Sequence, residues 1–371
     1  MSSNINDPLL PANFPVPVTY QWNLNTQYEF LPNWVLEIGY VGSRGIDQTT
    51  ATWSPNLAAV QNAAVTGAPP STGNTNLRVP YLGFSPDLAA NFANNSDTKY
   101  NGLQLTVRKT FSHGLTFQAA YSYNRAFLSN WIANPAIVGA TANPTWNLNP
   151  LVSQYGPNGE YAPNRFTLSY SYDLPVHAQG VLGYVANGWR VSGETTIQQG
   201  FPLNVVDNNL GSIFGMSGGS PIASEAEFRS GMTRANAATT GSIDSRVLNG
   251  WINVNAFCSS QLTGNACQNA YTVANGTGAG NSGQGQLLGP PQDNWDISIS
   301  KLTKVGGIHE NANLEFRAEF FNAFNHPQFA NPGNGAPAGA NGVDISSGGS
   351  PAITSLSVNP RLIQFALKYI F

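Results

Sequence analysis

The side chains best suited to binding a metal ion are the four histidines, His113, His177, His309 and His326. Three of them lie in or beside segments predicted to be short turns, and no two have the spacing of zinc ligands. The segment "GIHEN" around His309 also lacks the second histidine of a metalloprotease helix. The sequence therefore predicts turn or surface histidines and no metal site.

Glu315 and Glu319 flank Arg317 at alternate positions, so in a β-strand all three side chains would lie on one face. Two carboxylates so placed could form a catalytic acid–base pair. We favour a ladder of compensating charges on the inner face of a β-barrel, because barrel interiors are polar and opposite charges there offset each other. Arg108 and Arg190 fit the same interpretation. No G-x-S-x-G motif occurs, and we predict no catalytic residue and no enzyme.

Neither the glycine-rich segment 283–289 nor the two cysteines indicates a cofactor. "GQGQLLG" is one residue off the spacing of a dinucleotide-binding loop and lacks a strand–helix context, so we predict a flexible loop. Cys258 and Cys267 stand nine positions apart, without neighbouring histidines or further cysteines that would suit a metal. A local disulfide formed in an oxidising compartment is favoured over a pair of free thiols.

The elements that hold these residues alternate between apolar and polar residues, the pattern of β-strands. We count about nine such strands of roughly nine to twelve residues, the length that a tilted membrane-spanning strand needs. They cover residues 20–30, 33–42, 100–110, 115–125, 166–174, 189–199, 294–302, 313–323 and 360–371. Aromatic residues at their ends, such as Trp34 and Trp189, are typical of the lipid–water boundary. An aromatic-rich soluble core is the alternative.

The connections between these strands alternate in length. Short links such as "LPN" and "FSHG" join hairpins, whereas long segments rich in glycine, asparagine and proline cover 43–99, 126–164, 200–293 and 324–359. Outer-membrane barrels have short periplasmic turns and long external loops. On that pattern Phe371 ends at the periplasmic face. The stretch "FPLNVV" at 201–206 could be a short extra strand, but we favour assigning it to the loop.

Composition excludes several classes of function. Only 9% of the residues are charged, against roughly 25% in soluble domains, and a net charge of −3 offers no basic surface for nucleic acid. No apolar run approaches the roughly 20 residues of a membrane helix. Residues 1–17 have neither the basic nor the apolar region of a secretory signal.

The strand count is odd, whereas bacterial single-chain barrels have an even number of strands. We therefore expect a chain that begins inside a larger barrel. Residues 1–19 would be the remnant of a loop, and residues 20–371 the carboxyl-terminal portion of the barrel.

An ordered set of segments resembles the C-terminal region of the barrel of TonB-dependent outer-membrane transporters. Within that family, the segments resemble the Oar-like group of Acidobacteria type. The stretches include "QWNLNTQYEFLPNWVLEIGYVGSRG", "YNGLQLTVRKTFSHGLTFQAAYSYNRA", "GWRVSGETTIQQGFPLNV" and "LEFRAEFFNAFNHPQFANP". The final strand is similar to the one that the barrel-assembly machinery recognises, with alternating Ile363, Phe365, Leu367, Tyr369 and Phe371. The family's signal peptide and plug are not visible in this sequence, so energy coupling is not assigned to the chain.

The resemblance implies an all-β fold, an antiparallel transmembrane β-barrel that is part of a larger barrel of about 22 strands. It implies uptake of a large ligand, such as an iron chelate, a glycan or a peptide, across the Gram-negative outer membrane. Expected partners are outer-membrane lipid, the barrel-assembly machinery and, if an upstream plug exists, the TonB complex. The alternatives are a non-transporting surface or adhesion barrel, a truncated gene product without independent activity, and a soluble carbohydrate-binding β-sandwich.

Overall fold

The structure, a computed structural model, describes residues 15–52, 82–84, 91–128, 156–207, 224–258, 282–305, 312–333, 342–345 and 352–370. Its strands are, in chain order, β1 (Val18–Leu31), β2 (Trp34–Thr52), β3 (Asn91–Ser112), β4 (Leu115–Leu128), β5 (Gly156–Pro157), β6 (Asn164–Asp173), β7 (Trp189–Gln198), β8 (Pro202–Asp207), β9 (Ser224–Glu225), β10 (Glu227–Phe228), β11 (Phe257–Cys258), β12 (Leu287–Leu288), β13 (Gln292–Lys304), β14 (Asn313–Phe321), β15 (Gly342–Asp344) and β16 (Leu362–Ile370). The helices are α1 (Val181–Ala186), α2 (Arg234–Ala237) and α3 (Ile243–Asn249), with a 3₁₀ turn at Val254–Ala256. Within these described ranges, no helix is long and apolar enough to cross a membrane.

The nine long strands form one sheet in the order β1-β2-β3-β4-β6-β7-β13-β14-β16, with β5 paired to the end of β4. Every neighbouring pair along this path is antiparallel. All nine predicted strands are therefore confirmed, and each lies beside the next one predicted along the chain. The strands β2 and β3 extend well into the predicted loop 43–99.

The register of the sheet separates an apolar face from a polar face, because directly opposed residues point to the same side. One apolar row runs across five strands through Ile38, Leu105, Tyr121, Phe166 and Ile197. A row on the other face carries Thr106, Ala120, Thr167 and Thr196. The local alternation of the sequence is thus continuous from strand to strand.

The two ends of the sheet differ in their connections. At the short-turn end, Asn33 and the His113–Gly114 pair take up positive φ angles in tight hairpin turns. At the long-loop end, the chain leaves the sheet after β2, β4, β7 and β14. The edge strands β1 and β16 both run toward the short-turn end, and within the described residues they do not pair with each other. The described sheet is therefore part of a barrel and is not closed.

A second body folds at the long-loop end, which we call the cap and define as residues 199–207, 224–258, 282–291 and 342–345. Here β8 pairs with β9, β12 and β15 in a small separate sheet. The predictions that 201–206 is loop and that 283–289 is a flexible loop are therefore wrong, since these segments contribute β8 and β12. The hydrophobic core lies here: Leu203, Val205, Ala226, Ala237, Trp251, Ile252, Ala256, Phe257, Leu287, Val343 and Ile345.

Candidate functional site

The predicted recognition strand is β16, which pairs with β14 at one edge of the sheet. Phe365 and Leu367 are exposed on its apolar face, and the Phe365 ring stacks on Phe316 with centroids 6.3 Å apart. Ile363 and Tyr369 share that face, while Phe371 lies outside the described residues. Recognition by the assembly machinery stays a prediction.

The predicted ladder of charges is present on the polar face of the sheet. The Arg317 guanidinium donates to Glu315 at 2.7 Å and lies 3.6 Å from Glu319. The Arg190 guanidinium likewise contacts the Asp173 carboxylate on the neighbouring strand. These carboxylates have guanidinium partners, which confirms the interpretation as compensating charges at these positions, whereas none of the ion pairs among the described residues includes Arg108.

The histidines and cysteines do not assemble a metal site in the described part of the chain. His113 occupies a hairpin turn, and His326 lies with Nδ1 3.6 Å from a carboxylate oxygen of Asp293. No group of three or more His, Cys, Asp or Glu side chains that could hold a metal occurs among the described residues. Cys258 is buried at the end of β11, whereas Cys267 and His309 lie outside the described residues, so the disulfide stays a prediction.

The strongest candidate for a binding site is a cleft of about 450 Å³ where the cap meets the ends of β7 and β13. We call it the cap cleft, and it is lined by Gln199, Gly200, Arg234, Ala238, Thr239, Arg246, Trp251, Gln286, Leu287, Leu288, Gly289 and Pro291. On one wall Gly200 passes so close to the Gly289 carbonyl that a Cβ at position 200 would collide with it. Two glycine-containing segments thus bring the cap down onto the strand ends.

Arg246 is held in the cleft by a chain of contacts. Its Nε donates to Thr239 Oγ1 at 3.2 Å, and that hydroxyl donates to the Trp251 carbonyl at 2.8 Å. Its guanidinium carbon lies 3.6 Å from the centroid of the Trp251 ring. The indole of Trp251 is fixed in turn by donating to the Leu288 carbonyl at 2.8 Å. Arg246 is therefore preorganised on a rigid aromatic surface.

The electrostatics of the cap cleft favour an electron-rich ligand. Burial lowers the pKa of the Arg246 guanidinium, which nevertheless stays protonated at any physiological pH. None of the ion pairs among the described residues includes Arg234 or Arg246, and no carboxylate is found among the described residues that line the cleft. Two guanidinium groups and two glutamine amides can donate hydrogen bonds to carboxylate, hydroxamate or phosphate oxygens.

Reasoning from the sequence missed Arg246 and Trp251, although a local signal precedes them. Ser242 caps α3, its hydroxyl accepting from the Ser245 amide at 3.3 Å, and Asp244 lies in the first turn. Gly250, with a φ of 106°, ends the helix. This is the ordinary start-and-stop pattern of a helix inside a segment that we predicted to be loop.

Comparison with known proteins identifies the domain type. A family model described as "Outer membrane beta barrel domain" matches residues 7–364. No curated protein matches the chain in sequence.

Two solved structures show similarity to the chain. The outer membrane transporter YddB from Escherichia coli is 10% identical with a TM-score of 0.43, and the match covers 98% of this chain and 34% of that one. BauA, the ferric preacinetobactin receptor from Acinetobacter baumannii, is 10% identical with a TM-score of 0.39, with coverage of 95% and 29%. The chain spans about a third of the length of these proteins.

Proposed function

The chain belongs to the family of outer membrane β-barrel domains, and from that premise we propose that it is the carboxyl-terminal barrel portion of a TonB-dependent transporter of the Oar-like group. Its location is the outer membrane, so its apolar face meets lipid and its polar face lines the interior. The observation that carries the proposal is the cap cleft, a preorganised and donor-rich site where the cap meets the ends of β7 and β13. A barrel that serves only as an anchor has no need of such a site.

In this proposal the long-loop end faces the exterior and the cap receives the ligand first. The uncompensated guanidiniums of Arg234 and Arg246 favour an anionic ligand, such as an iron chelate or a peptide carboxylate, over a neutral glycan. Ligand would then pass along the polar face, where charged side chains such as Arg190 and Arg317 are already compensated by carboxylates.

The direction of the two edge strands also supports a larger barrel. Because β1 and β16 point in the same direction, joining them would create the sole parallel pair in an otherwise antiparallel sheet. Backbone groups exposed to lipid must be paired, so both edges need antiparallel neighbours. We infer that an odd number of further strands completes the barrel.

The test is the intact mass of the species that carries the Arg361–Phe371 peptide in outer membranes isolated from the native cells. A mass well above 39.5 kDa, together with cross-linking of that species to the TonB complex, supports the proposal. A mass near 39.5 kDa without cross-linking would instead favour a surface barrel. Recovery of the peptide from the soluble fraction alone would contradict both.

A further inference from the structure

A small helix at the short-turn end exposes apolar side chains. The hairpin between β6 and β7 contains α1, none of whose residues is buried. Val181 and Leu182 are 82% and 73% exposed, and Tyr184 and Val185 are similarly open. Exposing four large apolar side chains of one six-residue helix to water would cost free energy. A surface of this kind indicates contact with lipid or with another molecule.

The helix is firmly held. The Asn187 side chain exchanges two hydrogen bonds with the backbone of Ala178, at 2.7 and 3.0 Å, and so closes the segment into a ring. The Trp189 indole donates to the Val185 carbonyl at 2.8 Å, and Lys301 Nζ donates to the Asn187 carbonyl at 2.6 Å. The exposure of α1 is therefore a fixed feature of the surface.

Trp189 and Lys301 tie α1 to the lipid-facing side of the sheet. Trp189 and Lys301 are opposed in register, and the same row continues through Phe316 and Leu367 on the apolar face. The Lys301 ammonium lies 5.4 Å from the centroid of the Trp189 ring. The apolar residues of α1 thus extend the lipid-facing band at the level where aromatic and lysine side chains meet lipid headgroups.

A basic cleft lies beside the helix. It has a volume of about 410 Å³ and is lined by Ala178, Gly180, Gly183, Tyr184, Asn187, Lys301, Leu302, Thr303 and Lys304. None of its described lining residues is acidic, and Lys304 is exposed and takes part in none of the described ion pairs. Two ammonium groups beside an apolar surface match an anionic phosphate group joined to acyl chains.

We propose that α1 and this cleft form a binding site for an anionic phospholipid of the leaflet at the short-turn end. The apolar side chains of α1 lie among the acyl chains, and Lys301 and Lys304 bind the headgroup phosphate. Continuity with the lipid-facing band and the basic charge select lipid over a protein partner. The inference depends on the membrane location and not on the transport proposal.

The first test places photoreactive benzoylphenylalanine at Leu182 in the full chain within outer membranes. Leu248, an exposed leucine of α3 in the cap, is the matched control position. We expect phospholipid adducts by mass spectrometry at position 182 and none at 248, with unchanged heat-modifiable migration in both. A protein adduct at 182, or no adduct in the folded protein, would overturn the proposal.

The second test addresses the headgroup, using vesicles of phosphatidylethanolamine with and without phosphatidylglycerol as the probe. Lys304→Gln should lower retention of phosphatidylglycerol by the detergent-extracted protein about fivefold, as native mass spectrometry can measure. Lys368→Gln is the control, because Lys368 lies at the same end on β16, two strands away from β13, and is not among the residues that line the cleft. Equal loss in both variants, or loss in neither, would refute the headgroup site.

Discussion

At the scale of single residues, Asn322 organises the exit from β14. It takes up a positive φ of 48° and is only 3% exposed. Its side-chain amide donates to the carbonyls of His326 and Asn359, its Oδ1 accepts from the His326 amide, and its own amide donates to Asp296. Asn322 therefore links the segments around His326 and Asn359 to β13.

We predict that Asn322→Ala destabilises the protein by about 2–4 kcal/mol. The substitution removes buried hydrogen bonds, and alanine at a positive φ has no polar side chain that could stabilise this backbone conformation. Asn322→Gly should recover part of this loss, since glycine tolerates the backbone conformation. Denaturant unfolding of the membrane-inserted protein measures both. If Gly and Ala were equally damaging, backbone strain would make no contribution.

The binding role of Arg246 can be tested in the same way. Arg246→Gln should weaken binding of anionic iron chelates about tenfold or more, because a charge-assisted hydrogen bond is lost. Arg229→Gln is a suitable control, since Arg229 also belongs to the cap, its guanidinium donates to the Asn255 carbonyl, and it is not among the residues that line the cap cleft. Titration of a panel of anionic chelates and neutral glycans, followed by tryptophan fluorescence, would detect the difference. If the variant bound the whole panel like the parent protein, the cap cleft would be excluded as the ligand-binding site.

At the scale of elements, the alternation of each strand decides which solvent each face meets. The register aligns Leu105 and Leu168 with apolar rows, whereas Gln104 and Ser169 lie in polar rows. Neighbouring residues thus differ in environment although they share the same backbone.

We predict that Leu105→Arg or Leu168→Arg costs about 2–4 kcal/mol near the bilayer midplane and blocks assembly. Gln104→Arg and Ser169→Arg should be tolerated, since they add charge to a water-filled interior. The measurement is the folded fraction in outer membranes, judged by heat-modifiable migration. Similar yields from all four variants would contradict the assignment of faces.

At the scale of the whole molecule, the described residues bury their hydrophobic core in the cap and not in the sheet. The sheet needs little core of its own, because lipid covers its apolar face and water its polar face. The cap instead has a buried core of its own, in which the rings of Phe228 and Phe257 stack with centroids 4.9 Å apart.

Phe257→Ala should therefore destabilise the cap by about 3–5 kcal/mol while leaving the barrel inserted. Limited trypsin digestion of outer membranes should cleave the cap of this variant faster, at Arg234 and Arg246, and leave heat-modifiable migration unchanged. Leu248→Ala, at a position that is 83% exposed, serves as the control and should behave like the parent protein. Loss of the inserted barrel in Phe257→Ala would show that cap and barrel do not fold independently.

The sequence by itself determined the nine long strands, their order and the two faces of the sheet. Alternation is a local property, readable in stretches such as Tyr20–Phe30, because each residue faces either lipid or water. Only the tertiary structure decided the cap and its cleft. The strands β12 and β15 have only two and three residues, too few to show a period, and both pair with β8 across long separations along the chain. Arg246 becomes a candidate ligand-binding residue only when those pairings bring Trp251 and Leu288 beneath it, which no local pattern encodes.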